Sequence, residues 1–461
     1  MSLRFGTDGV RGVANAELTP ELTLALGRAA ARVLGGDRIP GAGAPTPPTM
    51  LLGRDTRRSG TMLAAALAAG CAAEGLDVID LGMLPTPAVA AASVHTGMPA
   101  AMISASHNPF ADNGIKFFSA GGRKLPDDIE ARVEAELDRL LGVRADDAGH
   151  DSDVPVGTAV GTVVTAEWAA EHYVAGLVAA LEGRRLDGLR VVLDCAHGAA
   201  SEVAPEAFRI LGADVTVLHD LPDGSNINAR CGSTHPELLQ ETVVSRGADL
   251  GLAFDGDADR MLAVDHTGAL VDGDQLMAMS AVDLGARGRL AHDTVVVTVM
   301  TNLGFKLAMA QHGIAVVVTD VGDRYVLDAL QAGGYTLGGE QSGHVINTAL
   351  ATTGDGPLAG VLVCDLVVRS GRRLADLASV MTRLPQVLRN VKGVDRSRLA
   401  EAGAVWDEVA AVEAGFDGNG RVLIRPSGTE ALVRVMVEAP TADEAEAACS
   451  RLCAVVEREL G

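Results

Sequence analysis

The sequence predicts an α/β protein of four domains. Three are related mixed α/β domains, the fourth is a smaller α+β domain at the C-terminal side, and the active site is expected in the central cleft they share. Three observations lead there. A strand–helix–strand rhythm occurs three times. The pattern changes after Ser370. The 461 residues, 48 % hydrophobic and 21 % charged, are enough for several packed cores.

The first copy starts with the apolar strand at 50–52, continues through a helix at 59–74, and returns as a strand at 75–80. The second reads strand 189–193, helix 201–211, strand 212–217, and the third reads strand 294–300, helix 302–311, strand 313–318. In each copy a glycine ends the helix. The strands are apolar enough to be covered on both faces, as in parallel sheets. Residues 142–161 are rich in Gly, Asp, Pro and Val and read as a linker plus hairpin. The expected domains are therefore 1–150, 151–254, 255–370 and 371–461. The last reads helix 373–383, strand 386–391, helix 397–412, strands 421–425 and 431–438 around a tight turn, and helix 442–459. That final helix opens with a capping box from Thr441 to Glu444.

Composition excludes several functions. The formal charge of −22 leaves no generic basic face for nucleic acid or anionic membrane. A pocket for an anionic substrate has to be locally basic. The six cysteines show no CxxC spacing, and Cys449 and Cys453 read as one small apolar helix face. Reduced thiols, no signal-like apolar segment near the start and no membrane-length apolar run together predict a cytoplasmic protein.

Five stretches carry chemistry. In Ala101–Pro109 a buried strand runs into Ser104–Ala105–Ser106–His107–Asn108 and stops at Pro109, setting Ser106 at a strand end. A serine there can be a nucleophile or phosphate carrier; an ordinary polar turn is the plainer reading. In Phe254–Arg260, Asp255, Asp257 and Asp259 alternate in a loop between apolar runs. Three such carboxylates repel unless a cation or protons neutralise them, and hard oxygen donors suit Mg²⁺. An EF-hand is excluded, because its sixth position would be Arg260 and its twelfth His266. Arg260 is useful there if an anion sits on the ion. In Gly338–His344, Glu340, Ser342 and His344 suit sugar hydroxyls, with a simple hairpin turn an equal reading of the segment. In Arg425–Glu430, Arg425, Ser427, Gly428 and Thr429, with Arg434 downstream, suit an anion nest; no Walker pattern is present. In Arg4–Gly12 a glycine-rich loop can deliver Arg11 to a pocket. Lys116 is one of four lysines and would ordinarily be a surface residue.

A serine, a metal loop, a sugar-like loop and a phosphate nest together suit phosphoryl transfer on a phosphorylated sugar. These stretches, in this order from Phe5 to Glu430, resemble the α-D-phosphohexomutase superfamily. GTDGVRG, ISASHNP with DNGIKFF, and GGEQSGH with Gln341 are most similar to its bacterial phosphoglucosamine mutase branch; phosphomannomutase/phosphoglucomutase relatives usually have Met at that position. The resemblance implies a heart-shaped four-domain arrangement. It implies a phosphoserine at Ser106 and one Mg²⁺ per chain, held by Asp255, Asp257, Asp259 and a phosphate oxygen on Ser106. Arg11, Lys116 and Arg260 would surround the phosphoserine, and Glu340 and Ser342 would read the sugar. Arg425, Ser427, Gly428, Thr429 and Arg434 would hold the phosphate that is not reacting. His107, beside the serine, and His344 are candidates for proton transfer, with His344 preferred. The implied reaction interconverts glucosamine 6-phosphate and glucosamine 1-phosphate, with glucosamine 1,6-bisphosphate as intermediate and activator, in supply of UDP-N-acetylglucosamine. The expected partner is the small sugar phosphate, without nucleic acid or membrane, and a homodimer is among the expected assemblies. Rival readings are a phosphomannomutase/phosphoglucomutase, a metal-dependent sugar-phosphate phosphatase and a catalytically silent binder. Ala258 stands where many relatives have Gly; its methyl group adds no ligand, and no loss of metal is expected.

Overall fold

The computed structural model describes residues 5–6, 9–35, 48–142, 154–427 and 432–461. They fall into two compact units, Met1–Val299 with Val316–Ala378, and Met300–Ala315 with Ser379–Gly461.

The first unit holds three sheets. The first sheet contains β1 (Val10–Val13), β2 (Thr49–Arg54), β3 (Asp77–Met83), β4 (Ala100–Ile103), β5 (Asp112–Ser119), β6 (Arg123–Lys124) and β7 (Val163–Thr165). Their order is β1-β5-β4-β2-β3-β7, with β6 on β5. The central pairs β4/β2 and β2/β3 are parallel, and β5 runs antiparallel to β4. Alternation along the strands feeds two cores. Met50, Leu52, Ala101 and Ile103 pack with helices Pro20–Leu34 and Arg58–Ala73, while Leu51, Ala100 and Met102 pack with helix Thr86–Thr96. This double coverage makes β4 buried along its whole length and places its polar C-terminal continuation at the sheet's rim.

The second sheet contains β8 (Arg190–Asp194), β9 (Asp214–Leu218), β10 (Leu250–Phe254), β11 (Met261–Asp265) and β12 (Leu270–Val271), in the order β12-β11-β10-β8-β9. The third contains β13 (Thr294–Thr298), β14 (Ala315–Thr319), β15 (Leu337–Gly339) and β16 (Val345–Asn347), in the order β14-β13-β15-β16. Two expected boundaries need correction. β7 completes the first sheet beside β3, past the break at 150/151. β10 and β11 form one antiparallel hairpin, so the break at 254/255 cuts through a paired sheet. In both cases backbone pairing outweighs the composition change that suggested a linker. Of the expected linker hairpin, residues 143–153 lie outside the described residues, and Gly157–Ala159 form a single 3₁₀ turn.

In the second unit β17 (Gln386–Lys392), β18 (Arg421–Pro426) and β19 (Leu432–Glu438) form an antiparallel sheet in the order β17-β19-β18. Helices Gly403–Gly415 and Ala442–Leu460 bury Val409, Val412, Cys449, Leu452 and Val456 against Val433, Val435 and Val437. The capping box forms: Thr441 accepts from the Glu444 amide and Glu444 accepts from the Thr441 amide. The helix expected at 373–383 is shorter, Leu374–Ala378, because Val380 and Thr382 are poor helix formers on the way to Pro385. The helix expected at 397–412 is divided. A 3₁₀ turn at Arg396–Glu401, capped by Asp395 on Ser397, precedes the helix that starts at Gly403. Among the described residues no helix is long and apolar enough to cross a membrane.

Candidate active site

The chain leaves β4 at Ile103 and turns tightly. Ser106 has a φ of +51°, a left-handed conformation that costs an L-residue on the order of 1 kcal/mol. Its neighbours hold it there. The Ser106 amide donates to Ser104 Oγ at 2.8 Å, and Ser104 Oγ donates to Asp55 Oδ2 at 2.7 Å. The Ser106 carbonyl accepts from Arg57 Nη2 at 2.9 Å and from Asn228 Nδ2 at 2.8 Å. Arg57 is fully buried; its Nε donates to Asp55 Oδ2 at 2.9 Å, and it also donates to the carbonyls of Asn108 and Pro109. The hydroxyl is thereby aimed at Asp255, donating to Oδ2 at 2.5 Å, with His107 Nδ1 3.3 Å away.

The β10–β11 hairpin carries Asp255, Asp257 and Asp259, all buried, with ligand atoms within 4.8 Å of one another. Asp255 accepts from the Arg260 amide through Oδ1. Asp257 Oδ2 accepts from Thr86 Oγ1 at 2.6 Å and from Lys116 Nζ at 3.1 Å. Asp259 Oδ2 lies 3.6 Å from Lys116 Nζ and 3.7 Å from His344 Nδ1. Two oxygens, Asp257 Oδ1 and Asp259 Oδ1, are buried and accept no hydrogen bond among the described residues. Desolvation, with Asp259 and Asp257 close by, pushes the Asp255 carboxyl well above the usual range. Burial acts in the same direction on Asp259, but Lys116, His344 and Arg260 hold it well below that range. Such a trio resists full ionisation without a cation, and its free hard oxygens fit Mg²⁺ or a similar ion. Ala258, between them, has a φ of +55°, so its methyl group brings backbone strain, which the ligand argument from sequence did not consider.

Lys116 is 2 % exposed on β5 and is no surface lysine; the carboxylates around it provide the compensating charge. Arg11 lies on β1 opposite Gly114, where a Cβ would stand 2.8 Å from Arg11 Cγ, so the glycine makes room for the arginine. His107 Nδ1 is 3.2 Å from Arg260 Nη1. Burial, Arg260 and Arg11 lower the His107 pKa, which favours a neutral ring able to accept a proton.

The loop after β15 is clamped from several sides. Glu340 Oε1 accepts from the Gly322 amide, and Ser342 Oγ lies 3.4 Å from Glu340 Oε2. Gln341, which marks the branch in sequence, points away from these two and donates to buried Asp274 at 3.2 Å. His344 is buried: Nε2 accepts from the Gly354 amide at 3.2 Å, and Nδ1 faces Asp259. Burial would lower its pKa, but Asp259, Asp323 and Glu340 raise it overall.

In the second unit Arg425 and Arg434 stand directly opposite each other on β18 and β19. Burial and Arg434 depress the Arg425 pKa. Like charges in cross-strand register destabilise a sheet, so the pair favours an anion. Ser427 is buried and its carbonyl accepts from Arg396. Gly428 and Thr429 lie outside the described residues.

Sequence reasoning missed Asp55, Arg57, Thr86 and Asn228. Arg57 and Asp55 follow directly on the buried strand β2, and that placement was the available signal: a charged cluster at a parallel strand's C-terminal end faces the sheet's working rim. Thr86 and Asn228 carried no local signal. A second cluster, Asp194, His219 and Cys231, also brings ligand atoms together. Its carboxylate is already occupied by the amides of Ala196 and Gly232 and by His219 Nδ1, all at 3.0 Å, and it acts as a staple between loops.

Comparison with known proteins agrees with this geometry. Four family models match: phosphoglucomutase/phosphomannomutase α/β/α domain I at residues 2–141, domain II at 171–268, domain III at 272–384 and the C-terminal domain at 388–455. The phosphoglucosamine mutase of Streptomyces coelicolor is 54 % identical over 463 residues, covering 100 % of both chains. That of Paenarthrobacter aurescens is 52 % identical, covering 100 % of this chain and 98 % of the relative. Among solved structures, a phosphoglucomutase/phosphomannomutase family protein from Burkholderia thailandensis aligns with a TM-score of 0.78 at 23 % identity, covering 100 % of this chain and 98 % of that one. The Aspergillus fumigatus N-acetylphosphoglucosamine mutase, in complex with GlcNAc-6P and magnesium, aligns with a TM-score of 0.70 at 18 % identity, covering 100 % and 96 %. At these identities the structures support the fold, and the full-length sequence relatives carry the assignment: the chain belongs to the phosphoglucosamine mutase family of the α-D-phosphohexomutases.

Proposed function

We infer that the chain interconverts glucosamine 6-phosphate and glucosamine 1-phosphate through a phosphoserine at Ser106 and a bound glucosamine 1,6-bisphosphate. One observation carries the reading: Ser106 Oγ lies 2.5 Å from a carboxylate of a buried aspartate trio in which two oxygens accept no hydrogen bond among the described residues. In the first half-reaction the sugar O1 attacks the phosphorus of phosphoserine 106 and the P–Oγ bond breaks. The O1 proton leaves and Ser106 Oγ regains one, so charge balances. After the bisphosphate reorients, Ser106 Oγ attacks the 6-phosphoryl group, O6 is released and the proton returns to it. Asp255 Oδ2 and His107 Nδ1 are the acceptors in place for the serine proton. His344 is proposed for the sugar-hydroxyl proton; Nε2 then has to give up the Gly354 amide.

A divalent cation held by Asp255, Asp257, Asp259 and an oxygen of the serine-borne phosphate would offset charge on the transferring group. Lys116 Nζ, 3.1 Å from Asp257, and Arg260 Nε, 3.7 Å from Asp259, add fixed positive charge beside the trio, and Arg11 is proposed to join them around the phosphoserine. Glu340 and Ser342 are proposed to bind the sugar hydroxyls. Arg425, Arg434 and Ser427, with Gly428 and Thr429, are proposed to hold the phosphate that is not reacting; the opposed guanidinium pair supports this. A cytoplasmic setting is proposed because all six cysteines are free and buried.

The test is a direct assay of glucosamine 1-phosphate formation, with mannose and glucose phosphates as comparison substrates. Ser106→Ala should abolish turnover, and persistent mutase activity would overturn the assignment. Release of inorganic phosphate in step with substrate loss would instead indicate a phosphatase.

A further inference from the structure

We propose that Thr86 is a positioning residue for the metal centre, setting the orientation of Asp257 and thereby the affinity of the aspartate trio for a divalent cation. The inference rests on the reading of that trio as a metal site.

Thr86 is 1 % exposed and opens helix Thr86–Thr96, which packs on the sheet that carries the reactive serine. It grips Asp257 at two points across 171 residues of sequence. Its Oγ1 donates to Asp257 Oδ2 at 2.6 Å, and its amide donates to the Asp257 carbonyl at 2.9 Å. The amide bond satisfies one of the first N–H groups of the helix, which have no partner within it. With the backbone fixed by one bond and the side chain by the other, the Asp257 carboxylate has little freedom to rotate.

The distribution of donors gives the grip its consequence. Thr86 Oγ1 and Lys116 Nζ both address Oδ2, while Oδ1 accepts no hydrogen bond among the described residues. One oxygen of Asp257 is therefore reserved for a cation. Lys116 alone cannot impose this, because its ammonium is shared with Asp259 at 3.6 Å and sits on a flexible stem. Thr86 is β-branched, restricted at χ1 and anchored in a helix's first turn. Partners of this kind around metal ligands commonly change affinity 10–100-fold when removed. The same two bonds join the helix beside the serine-bearing strand to the hairpin that carries the trio, so they also set the distance over which Ser106 and the cation act together.

The experiment is an electron-paramagnetic-resonance titration of Mn²⁺ into the full-length, chelator-treated protein. Thr86→Val keeps the side chain's shape and removes the hydroxyl; it should weaken Mn²⁺ binding about 10–100-fold without a large loss of Tm. Thr86→Ser restores the hydroxyl and should bind within about threefold of wild type. Thr86→Ala, a second hydroxyl deletion, should reproduce the loss seen with valine. Unchanged or tighter binding in Thr86→Val overturns the proposal, as does a loss in Thr86→Ser equal to that in Thr86→Val. If Thr86→Val fails to fold, the alanine and serine variants decide in the same way. Absence of Mn²⁺ binding by the wild-type chain overturns the metal reading itself and the proposal with it, whereas wild-type binding with an indifferent valine variant overturns the role of Thr86 alone.

Discussion

Arg57 and Asp55 form a buried ion pair, 2.9 Å apart, with both side chains fully covered. The arginine also donates to the carbonyls of Ser106, Asn108 and Pro109, so three of its five guanidinium N–H groups hold the serine loop and a fourth holds Asp55. Replacing it by methionine preserves much of the volume but leaves Asp55 buried without its counter-charge. Burial already raises the Asp55 pKa, and Arg57 is the main influence opposing that rise. Breaking a buried pair from one side costs about 3–5 kcal/mol. At roughly 2 cal/mol/K of unfolding entropy per residue, each kcal/mol shifts the Tm of the first unit by about 1.3 °C, so its thermal transition should fall by roughly 4–7 °C. Neutralising both partners, in Arg57→Met with Asp55→Asn, should recover part of that loss, because no unpaired charge remains. The four proteins form a double-mutant cycle, read by thermal unfolding together with kcat. In both arginine variants kcat should drop steeply, since the Ser106 carbonyl loses Arg57 and among the described residues keeps Asn228 as its anchor. A fall below about 1 kcal/mol in Arg57→Met, or a double variant no more stable than the single one, would falsify the clamp.

Four other outcomes are expected. Chelation with EDTA should silence turnover and Mg²⁺ should restore it; full activity in metal-free buffer contradicts the role of the trio. Intact mass should show a species about 80 Da above the sequence mass, absent in Ser106→Ala. Arg434→Gln removes one half of the opposed guanidinium pair and should raise KM for the sugar phosphate; an unchanged KM counts against the phosphate nest. Asp355 is buried and its pKa is raised to about 6, burial outweighing its bonds to the Leu358 amide and Tyr173. Because the folded state prefers the protonated form, this carboxyl's contribution is fully present below pH ~4, the unfolded pKa, and is lost as pH rises through about 6. Asparagine can accept both bonds through Oδ1, so the stability of Asp355→Asn relative to wild type should improve by about 2 kcal/mol from pH 4 to pH 7; a constant difference refutes the assignment.

The three βαβ units and the C-terminal strands were legible because their signals are local. Apolar runs, terminal glycines and the Thr441 capping box lie within one element or its cap. The Asp255–Asp259 loop was legible for a similar reason: its three carboxylates are close in sequence as well as in space. The domain breaks at 150 and 254 were misread because strand pairing is not local. β7 returns to β3 from more than eighty residues away, and β11 shows its partner only through the backbone register. Lys116 was misleading because a lysine's usual place is the surface, and only the fold brings Asp257 and Asp259 to it. Gln341 was informative about the branch yet uninformative about the contact it makes, since Asp274 lies far away in sequence, in the first turn of helix Gly273–Ala286.

These misses share a cause that bears on how the site works. The residues proposed to act on substrate sit in short, recognisable motifs, whereas the residues that hold them are scattered. Ser106 needs Arg57, Asp55, Ser104 and Asn228; Asp257 needs Thr86 and Lys116; the sugar loop needs Gly322, Gly354 and Asp274. Gly273 shows how tight the last support is: a Cβ there would stand 2.3 Å from the Glu340 carbonyl, so the first turn of that helix lies directly against the loop. A phosphoryl group that leaves one oxygen and arrives at another on the same small sugar tolerates little displacement of either the serine or the cation site. Most of these supports are buried polar groups, and moving one leaves an unsatisfied charge or donor. The proposed reacting groups are therefore no more rigid than the partners that hold them. Substitutions at Arg57, Thr86 or Asp274, none of which is assigned a contact with the sugar, should accordingly cost activity comparable to substitutions in the sugar loop itself.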